Sequence, residues 1–230
     1  MSTLRLEGLG LGRHEDPDPK DALFPVRTLL QAFPSAPPAY RMWPHPYPHP
    51  LDQGNTGTCV GHGFKHQLMA APGKRYDSDE EPTALTIYRE ACPLDPWPEN
   101  DDGNLQHGTS VRAGAQALMA RNIITSYWWA NTLQDCIDHL LLRGPLVLGW
   151  NWYESMFYPT SKGYITPSGG VAGGHCLLAI GVIPEARRIR LLNSWGGDWG
   201  QNGRVWVSYD TFERLMDEDG EACTTVEPRP

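Results

Sequence analysis

Apolar residues recur at helical spacing in four stretches of the first two thirds of the chain. The predicted helices cover residues 58–71, 83–90, 110–121 and 133–143. Pro72 and Gly73 end the first helix, and Gly144 and Pro145 end the last. The pattern therefore indicates a mainly helical region up to about residue 144.

After Pro145 the pattern changes to short apolar runs and to alternation of apolar and polar residues. Strands are predicted at residues 146–148, 163–165, 175–182, 188–192 and 204–209. Helices followed by strands are typical of an α+β protein. We therefore predict a helical lobe over about 51–144 and a β lobe over about 145–230.

The region before these elements is rich in proline. Seven prolines lie between Pro34 and Pro50, and each fixes φ and removes a backbone donor. Residues 1–50 are predicted to form an extended arm over the domain surface, with a disordered tail as the alternative. Because residues 34–50 lead directly into the candidate site described below, a further hypothesis is that they cross it or lie beside it.

Composition narrows the classes of protein to which the chain can belong. Its 230 residues are 40% hydrophobic and 20% charged, a globular balance that suits one domain or two lobes. A net charge of -8 argues against nucleic acid as a partner, because few cations are available to displace counterions from phosphates. No apolar run approaches the roughly 20 residues that a membrane span needs, so no membrane partner is expected. The sequence does not address the oligomeric state.

Cysteine usage and the N-terminus bear on the compartment. The five cysteines are odd in number and widely spaced, which favours free thiols in a reducing environment over a disulfide framework. Residues 1–13 lack the apolar core of a secretory signal. A cytoplasmic location is therefore predicted.

One cysteine stands where a nucleophile would be activated. Cys59 begins the first predicted helix, directly after a loop that contains Gly54 and Gly57. A thiol at a helix N-terminus faces unpaired amide groups and the positive end of the helix dipole, which favour the thiolate. Gln53, just upstream, can supply an amide donor to an oxyanion.

Two distant residues can complete such a site. His175 follows Gly173 and Gly174 at the start of a strongly apolar predicted strand, and it can exchange a proton with a thiolate. Asn193 ends another strand, and its side-chain oxygen can orient the imidazole. Trp195 can shield the bond between His175 and Asn193 from water.

These residues carry a resemblance to a known family. The segments Asp52-Gln53-Gly54-Asn55-Thr56-Gly57-Thr58-Cys59, Gly173-Gly174-His175 and Asn193-Ser194-Trp195-Gly196-Gly197-Asp198-Trp199-Gly200 resemble the glutamine–cysteine, histidine and asparagine–tryptophan blocks of papain-like cysteine peptidases, in the same order. The resemblance implies a two-lobe α+β fold with a helical N-terminal lobe and an antiparallel, barrel-like β lobe. It also implies an active site between the lobes, with Cys59, His175 and Asn193 catalytic and Gln53 in the oxyanion hole.

The chain departs from the family in three respects. Thr56 and Val60 stand where many secreted members have a cysteine and an aromatic residue. His175 follows Cys59 by fewer residues than in those members, so a loop between the lobes is shortened. The first 45 or so residues do not resemble the helical inhibitory pro-segment, which favours a compact bacterial or phage-type enzyme made without one, in the host cytoplasm or with a virion if phage-encoded.

The resemblance further suggests a substrate pocket. Gly149, Gly174 and Cys176 are expected to line it, and their small side chains would leave room for a bulky apolar group. Residues 101–110 are expected to form the opposite rim, where carboxylates and the overall negative charge would favour basic substrates.

A metal site is the rival interpretation of Cys59. Cys59, His62 and His66 lie on one face of the predicted helix, a spacing that can hold zinc, with His45 and His49 upstream. A fourth ligand is not evident nearby, and a metal would quench the nucleophile, so neither a metal nor another cofactor is expected.

The function predicted from the sequence is therefore a cysteine endopeptidase that acts on peptide or protein substrates. Two alternatives stay open: a catalytically quiet scaffold of the same fold that binds a partner, and an amidase or acyl transferase that uses the same three residues.

Overall fold

The structure, a computed structural model, describes residues 9–31, 37–45, 50–73, 76–97 and 104–228. Its α-helices are α1 (Val26–Leu30), α2 (Cys59–Met69), α3 (Ala84–Ala91), α4 (Val111–Ala120), α5 (Leu133–Leu142) and α6 (Tyr209–Asp217). Its strands are β1 (Arg13–His14), β2 (Arg41–Met42), β3 (Thr109–Ser110), β4 (Ser126–Trp129), β5 (Leu146–Tyr153), β6 (Val171–Ile183), β7 (Arg188–Leu192), β8 (Arg204–Ser208) and β9 (Glu221–Val226).

Seven strands form one antiparallel sheet. Its order is β4-β9-β5-β6-β7-β8, and β2 adds to β6. Within the described residues the outer strands β4 and β8 do not pair with each other, so the sheet is open rather than closed into a barrel. The long strand β6 is its centre, and its register places Trp150 of β5 opposite His175.

The helices lie on the sheet through two apolar clusters. Val60, Phe64 and Leu68 of α2 pack with Leu178 and Ile180 of β6 in one cluster. The other joins the opposite face of the sheet to α5 and α6, with the buried rings of Trp150 and Trp152 at its centre. Since α2 contacts β6 directly, the residue that begins α2 is held close to the residues in the first half of β6.

The N-termini of the helices differ in whether a side chain caps them. The side chains of Thr83, Ser110, Thr132 and Ser208 cap α3, α4, α5 and α6 by accepting a bond from a backbone N–H in the first turn. Thr58 stands at the same position before α2, but its side chain makes no such bond. The first amide groups of α2 therefore lack a side-chain cap beside Cys59.

The predicted two-lobe α+β architecture is confirmed, with differences in detail. The predicted strand at 163–165 is reduced to a single bridge between Tyr164 and Trp206. Strands β4 and β9 and helix α6 are additional elements. Because β4 pairs with β9 and α5 packs on β6, the β lobe takes residues from both sides of Gly144.

The described helices are all too short or too polar to cross a lipid bilayer.

Candidate active site

Cys59 lies at the first position of α2 and is fully enclosed. None of its surface is exposed, and its sulfur is within reach of backbone groups of Cys176, Val60 and Gly12. Gln53 is nearby in the chain, in the tight loop that precedes the helix. The sequence therefore places the thiol at a helix start, as predicted from its apolar pattern.

His175 and Asn193 come together from neighbouring parts of the sheet. His175 lies on β6, and Asn193 directly follows β7, which pairs with β6. The His175 Nε2 atom is 2.8 Å from the Asn193 Oδ1 atom, and this oxygen also accepts a bond from the Ser194 backbone N–H. The second ring nitrogen, Nδ1, is buried and has no hydrogen-bond partner among the described residues. An imidazole held in this way has one nitrogen oriented and the other available.

Aromatic rings enclose the imidazole. Trp195 stacks on His175 with ring centroids 4.6 Å apart, and Trp152 meets the same ring edge-on at 4.9 Å. Phe157 in turn stacks on Trp195, with ring centroids 5.4 Å apart. These rings exclude water from the bond between His175 and Asn193, which strengthens it.

Gln53 is fixed by both ends of its side-chain amide. Its Oε1 atom accepts a 2.6 Å bond from the Ser194 hydroxyl, and its Nε2 atom donates to the carbonyl oxygens of Thr56 at 2.7 Å and Gly10 at 3.2 Å. The amide nitrogen thus donates both to the loop that contains Gln53 and to Gly10. Ser194 connects the histidine–asparagine pair to the glutamine.

Residues 9–13, here called the cleft segment, lie across these side chains. Gly10 donates its N–H to Gly54 O, and its own carbonyl oxygen accepts from Gln53 and from Trp195 Nε1 at 3.1 Å. Two residues later, Gly12 donates its N–H to Gly174 O at 3.0 Å and accepts from the Thr109 N–H at 2.9 Å. The cleft segment is therefore hydrogen-bonded to both walls of the site.

Glycine is required at two positions of the cleft segment because the backbone approaches so closely. A Cβ atom on Gly10 would lie 1.9 Å from the Thr56 carbonyl oxygen. One on Gly12 would lie 2.1 Å from the Gly57 carbonyl oxygen. Neither neighbouring atom belongs to a flexible side chain, so a larger residue would displace the segment.

Burial under this segment keeps the two reactive groups neutral. Burial raises the pKa of the Cys59 thiol to about 12, although bonds from nearby backbone groups act in the opposite direction. Burial also lowers the pKa of His175 to about 4, against the raising effect of its bond to Asn193. In the covered site, burial therefore disfavours the charged form of each group.

The predicted pocket residues lie at two different depths. Gly149 and Gly174 border a space that the Arg13 side chain fills, where the sequence suggested room for a bulky apolar group. Cys176 lies behind them and is fully buried against α2, where a Cβ on Gly63 would come within 2.7 Å of its sulfur.

The proline-rich residues lie away from Cys59 where the structure describes them. Arg41 and Met42 pair with Val182 and Gly181, near the far end of β6 from His175. Residues 34–36 and 46–49 are outside the described residues, as are residues 101–103 of the expected rim. It is the earlier cleft segment that covers the site.

The histidines of the rival metal interpretation have other contacts. The His62 Nδ1 atom is 2.9 Å from the Thr58 carbonyl oxygen, and His66 Nε2 accepts the Leu51 backbone N–H at 3.0 Å. His49 lies outside the described residues. Among the residues that are described, no three His, Cys, Asp or Glu side chains are grouped to hold a metal ion.

Sequence reasoning missed the roles of the cleft segment, Ser194 and Glu221. The alternation of leucine and glycine in Leu9-Gly10-Leu11-Gly12 was a usable signal, since it gives an extended chain one face without side chains. Nothing local in the sequence indicated that Glu221 would meet Arg13, because the two residues are 208 positions apart.

Comparison with known proteins supports the fold assignment. The structure matches xylellain, a cysteine protease from Xylella fastidiosa, with a TM-score of 0.69 at 19% identity, over 99% of this chain and 100% of the other. It matches procathepsin B S9 from Trypanosoma congolense with a TM-score of 0.70 at 12% identity, over 96% of this chain and 87% of the other. The chain therefore has the papain-like fold.

Sequence comparison also finds one distantly similar protein. The chain is 22% identical over 203 residues to an uncharacterized peptidase C1-like protein of Acanthamoeba polyphaga mimivirus, and the match covers 69% of this chain. It spans 64% of the length of that viral protein. No family model matches the sequence.

Proposed function

We propose that this chain is a cysteine endopeptidase that hydrolyses peptide bonds through an acyl-enzyme. The observation that carries the proposal is the bond between His175 and Asn193, buried under Trp195, with the second imidazole nitrogen left unpaired. The Cys59 thiol, at the start of a helix, is within reach of the backbone of Cys176, the residue that follows His175. A structural histidine would not require an oriented ring with one unpaired nitrogen. The papain-like fold and the likeness to named cysteine proteases support the same activity.

Each residue has a defined role in the proposed reaction. The Cys59 thiolate attacks the substrate carbonyl carbon while the His175 imidazolium holds the proton taken from the thiol. The Gln53 amide donates to the oxyanion, and the first backbone N–H groups of α2 face the same place. His175 then protonates the leaving amine, and as a base it activates the water that hydrolyses the thioester. Asn193 keeps the ring oriented throughout.

The described conformation is, in this proposal, a latent form of the enzyme. The Gly10 carbonyl oxygen accepts a hydrogen bond from Gln53 Nε2, in the place of a substrate oxyanion. Cys59 has no exposed surface, so a substrate cannot reach its sulfur in this conformation. Release of the segment would admit water, lower the cysteine pKa and raise the histidine pKa, so that the ion pair can form. The relation to proteins named as pro-forms, procathepsin B and a stem bromelain precursor, is in keeping with this.

The state of the cysteines supports a location for the proposed enzyme. All five cysteines are free and buried, which supports a reducing compartment such as the cytoplasm. The proposed partners are peptide or protein substrates.

A catalytically quiet scaffold is the second candidate. The observation that favours it is that Cys59 and His175 are both fully enclosed, as they would be in a protein that never binds a substrate. The two candidates differ in whether Cys59 becomes reactive when the cleft segment is loosened.

The decisive experiment is labelling with an epoxide thiol inactivator, followed by intact mass and peptide mapping. It would use the native chain, a Gly12→Ala variant with a loosened segment, and the same variant carrying His175→Ala. We expect one adduct on Cys59 in Gly12→Ala and loss of most of that labelling when His175 is replaced. Labelling that ignores His175, or that spreads over several cysteines, would favour the scaffold.

A further inference from the structure

The last residue of the cleft segment places a charged side chain in an enclosed pocket. The Arg13 side chain is only 3% exposed. Its Nε atom donates to Glu221 Oε1 at 2.8 Å, and one terminal nitrogen donates to the Asp219 carbonyl oxygen at 2.9 Å. The other terminal nitrogen is 3.4 Å from Glu15. Three nitrogens of one guanidinium thus have acceptors in a fixed arrangement.

Two glycines of the sheet make the room for this side chain. A Cβ atom on Gly149 would lie 2.9 Å from Arg13 Nε and 2.7 Å from Glu221 Oε1. A Cβ atom on Gly174 would lie 2.0 Å from the Arg13 carbonyl oxygen. Gly174 directly precedes His175, so the pocket adjoins the candidate catalytic residues.

The surroundings of the pocket are acidic. A cavity of about 250 Å³ beside Arg13 is lined by the acidic residues Glu15, Asp16, Asp21, Asp219 and Glu221, together with apolar residues such as Trp129 and Met216. Arg112 is the other cation nearby, and it is already engaged by the Asp21 carboxylate and the Asp16 carbonyl oxygen. Once the cleft segment leaves, Glu221 loses its direct partner while remaining at the base of the pocket.

We propose that this pocket beside the candidate active site takes an arginine side chain of the substrate, with Glu221 as the recognition residue and Arg13 as its built-in occupant. The inference rests on the proposed peptidase function. Burial raises the pKa of Glu221 and the Arg13 cation opposes that rise, so without a cation the group must take up a proton or carry an uncompensated charge. A substrate guanidinium would pair with the carboxylate in the place of Arg13, which an apolar side chain does not do. Arginine is preferred to lysine because the acceptors on Glu221, Asp219 and Glu15 bond three nitrogens of one planar guanidinium. The single ammonium nitrogen of lysine does not reproduce that arrangement.

The first test measures occupancy without any need for catalysis. Replacing Arg13 by Ala in the full chain empties the pocket, and agmatine, which carries a guanidinium, is then added during thermal unfolding. We expect agmatine at saturating concentration to raise the Tm of Arg13→Ala by about 5 °C, and 1-aminopentane or pentanol to raise it by less than about 1 °C. The Glu221→Gln change in the same background removes the agmatine effect, while Glu218→Gln, a surface carboxylate bonded to Arg214 and Tyr153, retains it.

The second test measures turnover of a panel of fluorogenic peptides by an Arg13→Ala chain that also carries Gly12→Ala, so that the cleft segment is loosened from Cys59. The peptides differ only by arginine, lysine or norleucine placed at each position in turn in an otherwise glycine-rich sequence. We expect an arginine peptide to exceed the norleucine peptide in kcat/KM by at least about 100-fold at one position, and Glu221→Gln to reduce that ratio to below about tenfold.

The outcomes separate this inference from the function on which it rests. Selective agmatine binding without turnover supports the pocket proposal and contradicts the peptidase proposal. Turnover of the arginine and norleucine peptides at equal rates contradicts the pocket proposal and supports the peptidase proposal.

If Arg13→Ala does not fold, Glu221→Gln in the native chain serves instead, because the glutamine oxygen still accepts from Arg13. The pocket proposal then requires faster Cys59 labelling, since the anchor of the cleft segment is weakened, and an unchanged rate overturns it.

Discussion

At the scale of single residues, Gly12 decides whether the cleft segment stays over Cys59. A methyl group at this position meets the Gly57 carbonyl oxygen, which is backbone and cannot swing away. We expect Gly12→Ala to increase the rate of Cys59 alkylation by iodoacetamide by at least about 100-fold, measured by intact mass against time.

A matched control is Gly170→Ala. A Cβ atom on Gly170 would lie 3.6 Å from its nearest neighbour, an ordinary contact with a flexible glutamate. This variant is expected to label at the native rate. An equal rate in Gly12→Ala and native chains would mean that the segment does not limit access to the thiol.

The pH dependence of the same labelling reports the protonation state of the covered thiol. Because burial raises the pKa of Cys59 to about 12, the thiol is protonated at neutral pH and the thiolate fraction rises as pH rises. The native labelling rate should therefore increase about tenfold per pH unit between pH 7 and pH 10. In Gly12→Ala the rise should be complete at lower pH, and a flat native profile above pH 7 would contradict the burial argument.

At the scale of helices and strands, sequence periodicity located most of the framework. Helices α2, α3, α4 and α5 begin and end within about two residues of their predictions, because each combines an apolar stripe with a clear stop or a capping residue. Strands β6, β7 and β8 were similarly evident from their apolar runs and alternation.

The elements that sequence reasoning missed share a physical cause. Strand β9 reads Glu221-Ala222-Cys223-Thr224-Thr225-Val226, and its apolar signal is weak because one end carries the pocket carboxylate. Helix α6 is strongly amphipathic, but the predicted strand extends to Tyr209, the first residue of the helix, and no element is predicted for residues 210–217. Strand β4 is defined by pairing with β9, a partner about 100 residues away that no local pattern reveals.

The contact of α2 with α3 depends on a helical glycine. A Cβ atom on Gly61 would lie 2.2 Å from the Ala84 carbonyl oxygen and 3.0 Å from the Tyr88 backbone nitrogen. Alanine normally favours a helix by up to about 1 kcal/mol over glycine. Here we expect Gly61→Ala to destabilise the protein by at least about 2 kcal/mol, measured by urea unfolding, because the helices must separate.

Gly170→Ala again provides the control for the effect of adding a methyl group, and it should change the free energy of unfolding by less than about 1 kcal/mol. A Gly61→Ala protein as stable as native would show that α3 adjusts its position without cost.

At the scale of the whole molecule, the N-terminal region is attached to the rest of the fold by charge as well as by backbone bonds. Arg13 meets Glu221 of β9, and Arg112 of α4 meets Asp21 near the N-terminus. One pair joins the cleft segment to the β lobe, and the other joins the following residues to a helix of the other lobe. The covering of the site is therefore linked to both lobes rather than to one.

Burial of histidines makes the free energy of unfolding of the covered protein depend on pH. His66, His139 and His175 are fully buried, and burial lowers the pKa of His139 to about 3, that of His175 to about 4 and that of His66 well below its usual value. As pH falls below about 6.5, the unfolded chain gains protons on these residues that the folded chain does not. Their contribution is therefore fully present above pH 6.5 and is lost as pH falls toward 4, with His175 alone accounting for about 3 kcal/mol.

Comparison with a variant isolates this effect from the carboxylates that titrate in the same range. His139 makes a single described side-chain bond, from its ring to the Gly144 carbonyl oxygen, and His139→Gln retains a donor for that oxygen while removing the titration. Between pH 6.5 and 5, the free energy of unfolding of the native protein should fall more steeply than that of the variant by about 1 kcal/mol per pH unit on average, measured by urea unfolding at each pH. Parallel slopes would mean that His139 is protonated in the folded state, which would require solvent to reach the interface between α5 and the sheet.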